Sequence, residues 1–383
     1  MRVAVVGPTH PFKGGVAAHT TELARRLALA GHDSELVSWS RLYPSLLYPG
    51  RQVVPAGAPD LPPYGRTTRP LSWVRPDSWW RAGRALRDHD LVVLVHVVPV
   101  LAPALLTVLR AARAGRARHQ ADAGPRVVVV AHNVLPHEPH PGAAGLVRAL
   151  LCRADDVVVH SPEQADLARR LGALAVSALE LPPHLPGGDP SPRAVHEGPP
   201  RVLALGLVRP YKGTDLLVRA VQQVPGVRLT VAGELWGEAG ARVRALAAEP
   251  ASGGRVDLRE GYVPGPVLAS LLAQHDVLAL PYRSATASQN ALLGHAHGLP
   301  VLATRVGTFA QDVQDGVDGL LVEPDDPAAL AGALRRLAEP GVLERLRSGV
   351  RPPDLQARWE PYLAAITGSG RRARVPTPPA TSR

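Results

Sequence analysis

Short apolar runs rich in valine alternate along the chain with amphipathic segments of helical period. In the first half, Arg2 to Val6, Ser34 to Ser38, Leu91 to His96, Arg126 to Ala131 and Asp156 to His160 read as strands. Val16 to Ala30, Ala144 to Cys152 and Pro162 to Leu171 read as helices, the last capped by Ser161 with Glu163 in its first turn. Strands that are apolar throughout and separated by helices imply a parallel sheet covered on both faces. From Arg41 to Pro70 the periodicity fails and Pro, Gly and Tyr accumulate, which predicts an irregular insertion bordering a binding site. Prolines and glycines then crowd the stretch from Leu181 to Arg201, the signature of a linker. Beyond it the alternation restarts, with Arg201 to Leu205, Arg228 to Ala232, Val277 to Leu280, Val301 to Thr304 and Gly319 to Val322 as strands. The pattern predicts two tandem doubly wound α/β units, over 1–185 and 201–350, joined by a Pro-rich linker over 186–200. A helix over 351–368 is expected to cross back onto the first unit, followed by a disordered tail over 369–383.

Length supports two cores, because 383 residues exceed what one core usually organises. The single cysteine, Cys152, excludes an internal disulfide framework and fits a reducing compartment; its Leu150-Leu151 flank predicts a buried thiol. The first apolar run begins at Arg2 and ends at Val6, too short for a signal-peptide core, so a cytoplasmic location is expected. The richest apolar stretch, Leu91 to Leu109, is broken by His96, Pro99 and Pro103, so no membrane span is expected.

The net charge of +10 favours anionic partners. Arg66, Arg69, Arg75, Arg81, Arg84 and Arg87 share one segment with Trp73, Trp79 and Trp80. That combination suits an anionic membrane surface, and equally a solvated helix face with tryptophans packed on a core. No zinc-type Cys/His spacing or RNA-recognition motif is present, so nucleic acid is not an expected partner.

Of 43 basic residues only Lys13 and Lys212 are lysines, and each stands beside glycine between an apolar strand and a helix. A compact ammonium in such a loop points to phosphate. Arg209 adds a second cation to the loop from Gly206 to Gly213, suited to a diphosphate. Gly14 and Gly15 open the first helix, where bare backbone allows close approach of an anion, although a plain tight turn uses the same pair. His132 follows the strand Arg126 to Ala131, at the end where open parallel sheets bind ligands, and offers a hydrogen bond to a sugar hydroxyl. His137, Glu138 and His140 lack a regular ligand spacing, so no metal is expected. Thr286, Ser288 and Gln289 follow another strand and serve either as helix caps or as phosphate contacts. Glu234 and Tyr262 are further rim candidates for a nucleotide base or ribose.

Together these motifs resemble a retaining glycosyltransferase of family 4 with the GT-B arrangement of two Rossmann-like domains. The most specific elements are Gly206 to Gly213, Gly298-Leu299-Pro300-Val301, and Asp315-Gly316-Val317-Asp318-Gly319-Leu320-Leu321-Val322. The resemblance implies transfer of a hexose from a nucleotide-sugar donor, held mainly by the second domain, to a glycan or lipid-linked acceptor held mainly by the first. It implies work in cell-envelope or exopolysaccharide synthesis, with no cofactor and no metal. Arg209 and Lys212 are then expected to stabilise the leaving diphosphate, Gly15 to approach the donor and His132 to contact sugar hydroxyls. One departure stands out. The family's Glu-x7-Glu pair falls on Ala285 and Leu293, with no acid between Pro281 and Pro300. This leaves a noncatalytic nucleotide-sugar-binding or scaffold protein of the same fold as the alternative.

Overall fold

A computed structural model describes residues 1–42, 53–54, 61–114, 124–135, 142–186, 198–285 and 288–368. Those residues form two compact units. Unit 1 takes the chain up to His184, apart from Leu61, together with the segment from Leu355; unit 2 takes Leu185–Asp354.

Unit 1 contains β1 (Arg2–Val6), α1 (Gly15–Leu29), β2 (Asp33–Arg41), β3 (Thr67–Ser72), α2 (Pro76–Ala85), β4 (Leu91–His96), α3 (Ala102–Arg113), β5 (Arg126–Ala131), α4 (Ala143–Leu151), β6 (Asp156–Val159), α5 (Pro162–Arg170), β7 (Val176–Ala178) and a C-terminal helix, Leu355–Thr367. Its seven strands lie in the order β3-β2-β1-β4-β5-β6-β7, every pair parallel. Alternate residues feed opposite faces. Ala4, Val6, Val92 and Leu94 join one core, while Val3, Val5, Leu91 and Val93 join another that includes Leu23 and Leu27 of α1. The helix Leu355–Thr367 completes the second core with Trp359, Tyr362, Leu363 and Ile366. Its C-terminal end is tied to β5 by Arg126, which donates to the Ile366 carbonyl at 2.7 Å while pairing with Asp156 at 2.6 Å. A cation there also suits the negative end of the helix dipole.

Unit 2 contains β8 (Arg201–Leu205), α6 (Thr214–Gln222), β9 (Arg228–Gly233), α7 (Gly237–Ala248), β10 (Val256–Glu260), α8 (Gly265–Gln274), β11 (Val277–Leu280), α9 (Asn290–Ala296), β12 (Val301–Thr304), α10 (Phe309–Asp312), β13 (Gly319–Val322), α11 (Pro327–Leu337) and α12 (Val342–Gly349). The helix Leu355–Thr367 is accordingly α13. The sheet order is β10-β9-β8-β11-β12-β13, again parallel throughout. In each unit the winding reverses beside the first strand, between β1 and β4 and between β8 and β11. Such a switch point opens a crevice at the carboxyl ends of the strands.

Two expectations need correction. The last residues of the stretch Arg41 to Pro70 form an ordered strand, β3, which begins at Thr67 and pairs with β2; residues 43–52 and 55–60 of that stretch lie outside the described residues. The signal of β3 is weak because it is an edge strand, carrying Pro70 and burying only its last two residues, Leu71 and Ser72. Cys152, expected to be buried, is half-exposed at the end of α4, with the Arg153 guanidinium 3.5 Å from its sulfur.

Candidate functional site

In unit 1 the carboxyl rim is lined by histidines. β4 ends in His96, and His132 and His160 immediately follow β5 and β6, so three neighbouring strands each deliver an imidazole to one edge. His19, on the second turn of α1, is fully buried behind them. Its Nδ1 lies 3.2 Å from His132 Nε2, with the rings edge to face at 4.7 Å. His184 sits 5.5 Å from His19 between ring centroids, its Nδ1 directed at the Pro182 carbonyl. Trp359 stacks on His19 at 5.6 Å, and Tyr362 meets it edge on at 5.5 Å.

Burial keeps these rings neutral. It lowers His19 and His132 well below the ordinary imidazole value, and the neighbouring histidines add to the effect. Burial likewise lowers His96, His160 and His184 to about 4. A neutral imidazole offers one donor and one acceptor, the pairing needed to grip a hydroxyl.

Gly14 and Gly15 open α1 at the end of the β1 loop. Gly14 has φ 108°, a conformation costly for any other residue, and its carbonyl receives the amides of Ala17 and Ala18. A Cβ at Gly15 would stand 3.4 Å from His184 Nε2, so the glycine belongs to the histidine cluster. The structure therefore gathers Gly15, His132 and three histidines that the sequence did not single out: His19, His160 and His184. A signal was present for His160, because Val-Val-Val-His repeats the strand ending of Val-Val-Val-Val-Ala-His.

In unit 2 the loop from Gly206 to Gly213 occupies the switch point after β8. Gly206 at φ 94° and Gly213 at φ 62° turn the chain, and a Cβ on Gly213 would lie 2.0 Å from the Pro281 carbonyl oxygen. The Lys212 ammonium is thereby folded inward. A Cβ on Gly206 would be 3.2 Å from Nζ, and Nζ lies 5.5 Å from the centroid of the Tyr282 ring. Burial lowers the lysine below its ordinary value, and Arg209 pushes in the same direction against an opposing effect of Tyr211. A desolvated ammonium beside a second cation gains strongly from an anion.

The loop after β11 closes the other side of this crevice. Tyr282 is buried, and its hydroxyl accepts from Asn290 Nδ2 at 3.0 Å and is hydrogen-bonded by Ser288. Ser288 and Gln289 immediately precede α9 and are half-buried, while Thr286 lies outside the described residues, as do His137, Glu138 and His140. Glu234 and Tyr262 follow β9 and β10 on the same rim and are half-buried. Val208 and Glu234 are linked through their backbones at 2.9 Å. Arg283 is committed elsewhere: it makes two 2.9 Å bonds to Asp215 and a 2.8 Å bond to Asp325. Leu293, at the position of the absent acid, is 3% exposed and lies in the apolar core with Leu278, Leu280 and Leu299. Among the described residues no group of His, Cys, Asp and Glu side chains is arranged to hold a metal ion.

Two family models match the chain, Glycosyltransferase Family 4 over residues 13–176 and Glycosyl transferases group 1 over residues 199–340. D-inositol 3-phosphate glycosyltransferase 1 of Catenulispora acidiphila is 30% identical over 372 residues, covering 88% of this chain and 85% of that protein. The chain belongs to glycosyltransferase family 4. A second family member, the D-inositol 3-phosphate glycosyltransferase of Acidothermus cellulolyticus, is 34% identical over 183 residues; the match spans 45% of this chain and 41% of that protein. The sucrose-phosphate synthase of Thermosynechococcus elongatus shares the fold at TM-score 0.65 and 20% identity, with 97% of this chain and 99% of that chain covered. The fold is shared equally with Anabaena HepE in complex with UDP-glucose, at TM-score 0.64 and 16% identity over 96% of this chain and 99% of that one. This family 4 chain thus has the two-domain GT-B fold.

Proposed function

We propose that the protein transfers a hexose from a nucleotide-sugar donor to a glycan or lipid-linked acceptor. The observation that carries this reading is the inward-folded Lys212 beside Arg209 at the switch point of unit 2, within a chain of family 4. Two cations set against free backbone can neutralise a leaving diphosphate without a metal, and burial strengthens that attraction. Gly206 and the half-buried Glu234, Tyr262, Ser288 and Gln289 border the same rim and serve the nucleotide. Thr286 belongs to the same reading by sequence. Gly14 and Gly15 leave room for the donor, and His132, held neutral, contacts the hydroxyls of the transferred sugar.

No carboxylate stands at the positions where the family carries its acid pair, so we assign a same-face displacement assisted by the leaving diphosphate, with retention. A relative named as a D-inositol 3-phosphate glycosyltransferase is consistent with a small phosphorylated polyol acceptor. Within cell-envelope or exopolysaccharide synthesis, a lipid-linked acceptor places the protein in the cytoplasm, peripheral to the inner face of the membrane. The buried Leu293 favours a second reading, a noncatalytic nucleotide-sugar-binding protein. Release of free nucleotide from UDP-, GDP-, ADP- and dTDP-sugars separates the two. Turnover with one donor, lost in Arg209→Ala, supports transfer; donor binding without any turnover, with cell-envelope lipid extract supplied as acceptor, supports the second reading.

A further inference from the structure

Three large apolar side chains are exposed close together on unit 1: Trp73 and Val74 in the turn after β3, and Trp80 on α2, with relative exposures of 39%, 43% and 43%. Trp79, between them in sequence, does something different. Its ring packs against the core and its Nε1 donates to the Ser72 carbonyl at 2.8 Å. The segment is therefore held rigidly by one tryptophan while its neighbours face outward. Most other exposed large apolar residues, such as Leu29 and Leu174, stand singly, which is ordinary for a protein surface.

Charge gathers at the same place. Residues 67–85 carry four arginines, Arg69, Arg75, Arg81 and Arg84, against one acid, Asp77, and all five are exposed. On α2, Asp77, Trp80, Arg81 and Arg84 recur at helical spacing and form one outward stripe, opposite the buried Ser78, Ala82 and Gly83. Asp77 links the turn to the helix, accepting from Arg75 at 3.1 Å and pairing with Arg81 at 2.6 Å. The whole element lies at the β3 edge of the sheet.

We infer that the β3–α2 corner docks the protein onto an anionic phospholipid surface, with Trp73, Val74 and Trp80 entering the headgroup boundary and the arginines binding phosphates. Indole rings prefer that boundary, and each nearby arginine adds attraction to acidic lipid. An aliphatic side chain beside the indoles favours lipid over nucleic acid, whose bases would call for stacking planes alone. No described helix is long and apolar enough to cross a bilayer, so the contact is with the surface. The inference deepens the proposed lipid-linked acceptor. Its test reads lipid binding with no donor present, so failure of either reading leaves the other to be judged on its own measurement.

The test is flotation of the full chain with vesicles of phosphatidylcholine alone and with about one third phosphatidylglycerol, a share that gives a strong negative surface potential. Flotation with the acidic vesicles only is expected. Trp73→Ser combined with Trp80→Ser should lower the bound fraction about ten-fold, and Arg75→Gln with Arg81→Gln and Arg84→Gln about a hundred-fold. Both variants should keep the wild-type melting temperature. Absence of flotation, equal flotation with both vesicles, or tryptophan variants that float like the wild type would overturn the inference. So would binding to a single-stranded oligonucleotide without flotation, which would assign the surface to nucleic acid. The comparison of the two vesicles with wild-type protein stands even if a variant misfolds.

Discussion

His19 Nδ1 and His132 Nε2 stand 3.2 Å apart, one ring fully buried on α1 and the other on the rim after β5. One of the two nitrogens carries a proton and the other a lone pair, so His19 occupies Nε2 of His132 and sets whether the remaining nitrogen, Nδ1, donates or accepts. On the proposed reading, in which His132 contacts a sugar hydroxyl, His19 is a positioning residue. His19→Phe preserves the aromatic stack on Trp359 and removes the partner nitrogen. It should cost about 1 kcal/mol of stability and lower kcat about ten-fold, on the scale of a mispositioned contact, with donor-induced thermal stabilisation unchanged. Wild-type kcat with a wild-type pH profile in this variant would show that the pair is merely structural.

Acid should unfold unit 1 earlier than carboxylate titration alone would. The folded values of His96, His160 and His184 lie near 4, below the 6.5 of an exposed imidazole. Between pH 6.5 and 4 the unfolded chain therefore binds more protons, and stability is lost as pH falls through that window; above it the contribution is complete and flat. At pH 5 each such ring costs on the order of 1–2 kcal/mol of the stability present above pH 6.5. Melting curves from about pH 7.5 to about 4.5 should drop steadily below pH 6.5, and His160→Gln should make the drop shallower. Equal slopes in the two proteins would contradict a buried neutral cluster.

Trp359 holds α13 in unit 1. It is fully buried, stacks on His19, and donates from Nε1 to the Pro183 carbonyl at 2.8 Å. Trp359→Ala leaves a cavity and an unpaired carbonyl, a loss of about 3–5 kcal/mol. Guanidinium unfolding should register that loss as a lower midpoint. A change below about 1 kcal/mol, the range of a surface site, would mean that α13 is dispensable.

Restoring an acid at position 293 should not restore a donor contact. Leu293 is packed among leucines of unit 2, so Leu293→Glu buries a carboxyl with no partner at a cost of several kcal/mol, roughly the penalty for an unpaired charge. The melting temperature should fall, and most at alkaline pH, where the carboxyl is ionised. A stable variant with tighter donor binding would place position 293 on the crevice instead.

Most of the strands that the sequence revealed are buried on both faces, the edge strand β13 being an exception that its Gly-Leu-Leu-Val run made legible. β1, β4, β5, β8, β11 and β12 are built of valine, leucine and alanine, with any polar residue confined to one end. The strands that went unseen, β3, β7 and β10, are all edge strands with exposed positions, where burial imposes little pattern. The candidate sites divide in a similar way. Lys212, Gly15 and His132 were legible because residue type and position after a strand coincide. His19 was hidden inside an amphipathic helix, where a polar residue on the buried side carries no mark of its partner 113 positions away. His184 was masked by the prolines around it.

Thermal shift against UDP-, GDP-, ADP- and dTDP-sugars, comparing the wild type with Lys212→Ala, tests the central claim most directly. The account predicts stabilisation by one nucleotide class, by about 2–4 kcal/mol at saturating donor, and its loss in the variant. Equal stabilisation of the two proteins, or none of the wild type by any donor, would contradict it.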